Sequence, residues 1–203
     1  MLDLSEDGKE VGTADPFLKK EENSSARQRT RILLRKTSRR NGNVEIRISV
    51  RSLVEFILRS GSIDNRKGAA PDNAMAEGGR IHRMIQRRMG SDYQAEVVMR
   101  YSWSTPAYDL VVEGRADGVI NGDVVTIDEI KGTYRDLEKM KEPVDVHLAQ
   151  AKCYASMYAR EHDSAQMKVR MTYCNMETEE LRYFVNTYQR AELDEWFEAL
   201  LTE

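Results

Sequence analysis

Between positions 113 and 132 the chain reads Glu113-Gly-Arg-Ala-Asp117-Gly, then an Asn121-Gly122 turn signal, then Ile127-Asp-Glu129-Ile-Lys131-Gly. Side chains two apart on a strand point to the same face. Glu129 and Lys131 therefore stand together, and Ile127 before them puts the pair where an apolar strand face ends. Asp117 comes from the neighbouring strand. Carboxylates are hard oxygen ligands suited to Mg²⁺ or Mn²⁺. A lysine beside them can orient or help deprotonate an attacking water and offset charge in a transition state. Hydrolysis of a phosphodiester needs those contributions: a nucleophile from water, neutralised phosphoryl oxygens and help for the leaving oxygen. Alone, a Glu-x-Lys pair on a strand is usually a surface ion pair of little worth.

The register of the hairpin decides between these readings. A strict two-residue turn at Asn121-Gly122 pairs Asp117 with Thr126 and turns it away from Glu129. An odd-numbered loop, with Gly122 left-handed in a three-residue turn, or a bulge near Gly118 restores a common face. The chemistry requires one of the two.

The surrounding pattern supplies the elements that position these groups. Val44 to Ile48 alternates as a strand, and Ser49 can cap a helix bearing Leu53, Val54, Ile57 and Leu58, ended by Gly61. Residues 60–73 are rich in Gly, Ser, Asp and Asn and predict a loop. A helix from about Asn73 to Met89 carries Met75, Gly78, His82, Ile85 and Met89 on one stripe. The period then falls to two over about 93–103, 107–120 and 123–131, predicting a three-stranded antiparallel meander. A helix over about 144–162, strands near 167–175 and 180–187, and an amphipathic helix from Ala191 with Leu193, Trp196, Phe197 and Leu200 follow. The expected fold is α/β, a sandwich with a central mixed sheet flanked by helices.

The residues resemble the PD-(D/E)XK nuclease superfamily, and within it the RecB-like exonuclease group. Beyond Asp117, Glu129 and Lys131, the likeness rests on Gly78-Gly-Arg-Ile-His82 in an early helix and Gln150-Ala-Lys-Cys-Tyr154 in the helix after the lysine strand. It spans roughly 44–187. The opening Ile46-Arg-Ile-Ser-Val-Arg-Ser-Leu-Val-Glu-Phe-Ile is similar to nuclease domains found in front of DinG/XPD-like helicases. The resemblance implies a restriction-endonuclease-like sandwich with an αβββαβ core. It implies a Mg²⁺- or Mn²⁺-dependent deoxyribonuclease, an exonuclease of DNA repair or recombination, with Asp117, Glu129 and Lys131 catalytic. His82, Asp117, Glu129 and Ile130, the last through its backbone, would hold the metal. Gln150, Tyr154, Arg80 and Arg83 would contact DNA, and a helicase domain or subunit is an expected partner. The competing reading is an inactive nuclease-like DNA-binding or scaffolding module of a helicase. Glu77, Glu113 and Asp128 are weaker candidates, Asp128 because a regular strand points it away from Glu129. Arg87 and Arg88 also flank His82, and Lys152 receives no role.

The 203 residues are 40% hydrophobic and 32% charged, within the range of an ordinary globular chain. No apolar run approaches the ~20 residues that cross a bilayer. The acidic, polar Met1–Glu10 gives no secretory signal. Two cysteines cannot build a four-cysteine iron–sulfur cluster and read as buried thiols of a cytoplasmic protein. Net charge is −3, yet residues 26–40 carry seven Lys/Arg and no Asp/Glu. Such a run can attract phosphates or be a solvated arm. Residues 1–43 are expected to be a mobile extension, with the nuclease domain over 44–203 and a final helix that can lead to a further domain.

Overall fold

The computed structural model describes residues 37–40, 43–59 and 74–202. Strands β1 (Thr37–Arg40) and β2 (Asn43–Ser49) come first, then helices α1 (Val50–Arg59) and α2 (Ala74–Arg87). The meander β3 (Tyr93–Ser104), β4 (Tyr108–Ile120) and β5 (Thr126–Thr133) follows. Helix α3 (Asp145–Glu161), strands β6 (Gln166–Asn175) and β7 (Leu181–Gln189), and helix α4 (Arg190–Thr202) complete the order. The seven strands form one mixed sheet, β1-β2-β4-β5-β6-β7, with β3 on β4. Parallel pairings join β2 to β4 and β5 to β6, and the other pairings are antiparallel. The chain is an α/β sandwich with helices on both sheet faces.

Parity along β5 separates those faces. Ile127 belongs to the main core beneath α1, α3 and α4, whereas Ile130 joins Ile81 and Ile85 of α2 and Cys174 of β6 in a smaller core opposite. Helix α3 packs against β5 and β6 and also against α1 and α4. Its small residues, Ala149, Ala151, Ala155 and Ala159, are all buried, which lets a helix lie between two layers. Ser49 caps α1 as expected, its Oγ accepting the Ser52 amide at 3.0 Å.

Two boundaries differ from the sequence expectation. Strand β1 precedes residue 44 and pairs with β2, so part of the segment expected to be mobile belongs to the sheet. An edge strand needs only main-chain pairing, which polar Thr-Ser-Arg-Arg supplies without an apolar pattern. Most of the basic run, 27–36, and the 60–73 loop lie outside the described residues, as does Gly61. Strand β5 begins at Thr126, three residues later than expected. The Asn121 amide donates to the Asp92 carbonyl at 2.8 Å, and the Val125 carbonyl accepts from Lys168 at 2.9 Å. These bonds hold both ends of the turn away from a tight hairpin. Ile120 then pairs with Thr126 across a five-residue loop, 121–125. The loop is odd-numbered, as the chemistry requires, but Gly122 is not left-handed.

Candidate functional site

The site forms where the sheet divides. Strand β3 runs along one edge of β4 from Asp109 to Ile120. On the other edge β2 covers residues 108–113, and β5 covers only 118–120. Residues 114–117 sit in the fork between β2 and β5. Continuing the register past Gly118↔Asp128 sets Asp117 opposite Glu129.

Glycines on either side of Asp117 permit the close contacts of this fork. A Cβ on Gly114 would stand 2.5 Å from Tyr154 Oη, whose hydroxyl accepts the Arg115 amide at 3.2 Å. A Cβ on Gly118 would fall within the Tyr93 ring. Tyr93 Oη reaches Asp128 Oδ2 at 3.2 Å and the Asp117 carbonyl at 3.3 Å, one proton serving either. Val97, Met99 and Tyr101 pack in the main core, so strict alternation would place Tyr93 there too. It points instead to the Asp128 face. The alternation skips at Glu96, which has φ 59 and lies across β4 from Asp117. A left-handed glutamate within a strand is strained, and strain of this kind concentrates at functional sites.

Asp117 is held from three directions. Its Oδ2 accepts the Ile130 amide at 2.7 Å, and its Oδ1 is 3.2 Å from His82 Nδ1 on α2. One turn along α2, Gln86 Nε2 donates to the Asp117 carbonyl at 2.9 Å and to Glu96 Oε1 at 3.0 Å. Burial opposes protonation of His82, but the hydrogen bond and charge of Asp117 outweigh it and raise the imidazole pKa from 6.5. Among the described residues, His82, Glu96 and Asp117 place ligand atoms within 4.8 Å of one another.

Glu129 stands beside this trio and is 4% exposed. Its Oε1 meets Lys131 Nζ at 2.7 Å, and its Oε2 is buried without a hydrogen-bond partner. Burial, then the nearby Asp117 charge, push its carboxyl from 4.5 up to about 7, against Lys131 and His82. A buried carboxylate oxygen lacking a donor is unfavourable unless something else neutralises it. A divalent cation would do so. The donor set of carboxylates and an imidazole suits Mg²⁺ or Mn²⁺.

The other sequence candidates fall into different environments. Gln150 and Tyr154 are buried, 4% and 7% exposed, and Tyr154 supports β4 through the Arg115 amide. Arg80 is held by Glu77 at 2.8 Å and Glu179 at 2.8 Å, and Arg88 lies 3.8 Å from Glu179. Arg83 is exposed and folds back over Gly79, and Arg87 is exposed. Glu113 is a half-buried partner of Arg47 at 3.7 Å. Lys152 sits over Trp196, 4.1 Å from the ring centroid. Asp128 does point away from Glu129. It is fully buried, taking two hydrogen bonds from Arg170 at 2.8 and 2.9 Å and one from Thr172 at 2.5 Å. Gln86 and Glu96 are the contributors that the sequence reading missed. The i, i+4 spacing from His82 marks Gln86, whereas nothing in the local pattern marks Glu96.

No protein-family model matches this chain, and no curated protein does. Among solved structures, one titled "Crystal structure of SSO0001" superposes with a TM-score of 0.51 over 90% of this chain and 86% of that one. Sequence identity is 16%, so the likeness is one of fold.

Proposed function

We propose that the chain is a divalent-metal-dependent deoxyribonuclease that hydrolyses DNA phosphodiester bonds. One observation carries the reading: two carboxylates near enough to feel each other's charge, Asp117 with His82 on it and buried Glu129 with Lys131 on it, meet at the strand fork. His82, Glu96 and Asp117, whose ligand atoms lie within 4.8 Å of one another, would hold Mg²⁺ or Mn²⁺, with Glu129 and the Ile130 carbonyl as the further donors that the sequence likeness implies. When bound, the cation would neutralise phosphoryl oxygens and acidify water. Lys131 orients the attacking water and stabilises charge developing on the phosphate, and Glu129 fixes the ammonium that does so. Asp117, anchored by Ile130 and Gln86, sets the spacing of the centre.

Exonucleolytic action in DNA repair or recombination, alongside a helicase domain or subunit, fits the sequence likeness and belongs to the same proposal. So does a reducing, cytoplasmic setting, which agrees with two buried free cysteines. Separately, no helix among the described residues is long and apolar enough to cross a membrane.

The test is cleavage of end-labelled DNA with Mg²⁺ or Mn²⁺. Wild-type protein should cut. Lys131→Ala and Glu129→Ala should lose at least about a hundredfold in rate, the scale of removing one transition-state stabiliser, while keeping the circular dichroism of the parent. Equal cutting by the variants, or none by the wild type, overturns the reading.

A further inference from the structure

Arg115 stands two residues before Asp117, in the stretch of β4 that neither β2 nor β5 covers. Its side chain is 64% exposed, and Val98, opposite it on β3, is 75% exposed, so the approach to the guanidinium is open. Arg115 Nε meets Glu96 Oε2 at 2.5 Å. The other carboxylate oxygen, Oε1, accepts from Gln86 Nε2 at 3.0 Å. The same carboxylate offers one atom within 4.8 Å of ligand atoms on His82 and Asp117. A single side chain thus lies between an exposed guanidinium and the candidate metal centre. It is also the one whose backbone is strained, at φ 59 within a strand.

Both Glu96 oxygens already have partners, and one negative charge cannot fully neutralise a guanidinium and a divalent cation together. With the centre filled, Glu96 divides its charge and Arg115 loses much of its counter-charge. An exposed ion pair is worth little in water, so the guanidinium changes partner at small cost. Its planar fork matches a phosphodiester, whose two non-bridging oxygens accept charge-assisted hydrogen bonds side by side.

We propose that Arg115 binds a phosphate of the DNA strand at the centre, and that Glu96 stands in for that phosphate until the centre is filled. The proposal rests on the nuclease reading and adds a coupling to it. Cation and strand each bind more tightly in the presence of the other, through one arginine–glutamate pair.

The experiment uses the full chain and a fluorescein-labelled, mixed-sequence, single-stranded oligonucleotide. Anisotropy in EDTA reads strand binding, titration calorimetry without DNA reads Mn²⁺ binding, and cleavage in Mn²⁺ tests the nuclease reading separately. Glu96→Gln should tighten strand binding in EDTA about tenfold. It should also steepen the plot of log affinity against log salt by about 0.7, the contribution of one single-strand phosphate. Arg115→Gln, which frees Glu96 for the centre, should tighten Mn²⁺ binding about fivefold or more. Arg115→Lys should hold Mn²⁺ affinity near wild type, because it returns a cationic partner to Glu96. Each effect should shrink below about twofold when the other residue is already replaced, the mark of two groups acting as one pair. General charge effects on DNA or on Mn²⁺ would persist in the double variant.

A wild type that cuts, with Arg115→Gln binding Mn²⁺ no more tightly or Glu96→Gln acting equally with and without Arg115, overturns the inference and leaves the nuclease reading standing. A wild type that does not cut, while both effects appear and vanish in the double variant, supports the exchange and removes the nuclease reading. A wild type that binds neither Mn²⁺ nor the oligonucleotide overturns both.

Discussion

Replacing Glu129 with glutamine isolates the effect of one buried charge. In the metal-free protein, burial and Asp117 hold the Glu129 carboxyl at about 7 instead of 4.5. A carboxyl with a higher pKa in the folded state binds its proton more tightly there than in the unfolded chain. Its penalty is therefore absent below 4.5, grows as pH rises, and is complete above about 7. At about 1.4 kcal/mol per pH unit, the loss reaches about 3 kcal/mol. Glutamine keeps the volume and can still accept from Lys131, but it cannot ionise. The variant should match the wild type near pH 4 and exceed it by up to about 3 kcal/mol near pH 8. For a chain of this length that is roughly 6–10 °C in Tm. Calorimetry in a chelator across this range measures the difference directly. Adding Mn²⁺ near pH 8 should reverse the order, because a ligand bound only by the folded state stabilises it and the variant lacks the charge that binds it. A stability difference that is flat with pH, or that favours the variant more at low pH, refutes the reasoning.

His82→Ala should weaken Mn²⁺ binding at least about tenfold by titration calorimetry, with little change in the fold of α2. Gly114→Ala places a methyl 2.5 Å from Tyr154 Oη. It should lower stability to urea by about 1–3 kcal/mol, and adding Tyr154→Phe, which removes the nearest atom, should recover part of the loss. Arg170→Met leaves fully buried Asp128 without its guanidinium partner. It should destabilise the protein by about 3–5 kcal/mol, and Asp128→Asn in the same chain should reduce that loss.

The candidate site was legible where it depends on short-range parity. Glu129 and Lys131 share a face because they are two apart, and the odd loop follows from requiring Asp117 to join them. The loop itself is longer than Asn121-Gly122 suggests, because its ends are bonded to Asp92 and Lys168, which are distant in sequence. Glu96 enters through a left-handed residue inside a strand, a conformation with no glycine to announce it. Gln150 and Tyr154 share a helix face at i, i+4, but that spacing does not distinguish a face open to DNA from one buried between layers. The alanines of α3 carried that information, since small residues on several sides permit close packing on each. Asp128 was placed on the correct face by parity, whereas its Arg170 partner lies on a strand 42 residues away.

Antiparallel strands are joined by a ladder of backbone amides and carbonyls. Where β4 and β5 part, the next rung is a side chain: Asp117 Oδ2 takes the Ile130 amide. One carboxylate oxygen closes the sheet while the other faces the imidazole of His82. Asp117→Ala thus removes a rung and a charge together, whereas Asp117→Asn can keep the rung through its amide oxygen and lose only the charge. The same dual use protects the centre. A one-residue slip of β5 against β4 would turn Glu129 and Lys131 to the opposite face and break the Ile130 rung in the same step. The sheet cannot lose its register without taking the candidate site apart.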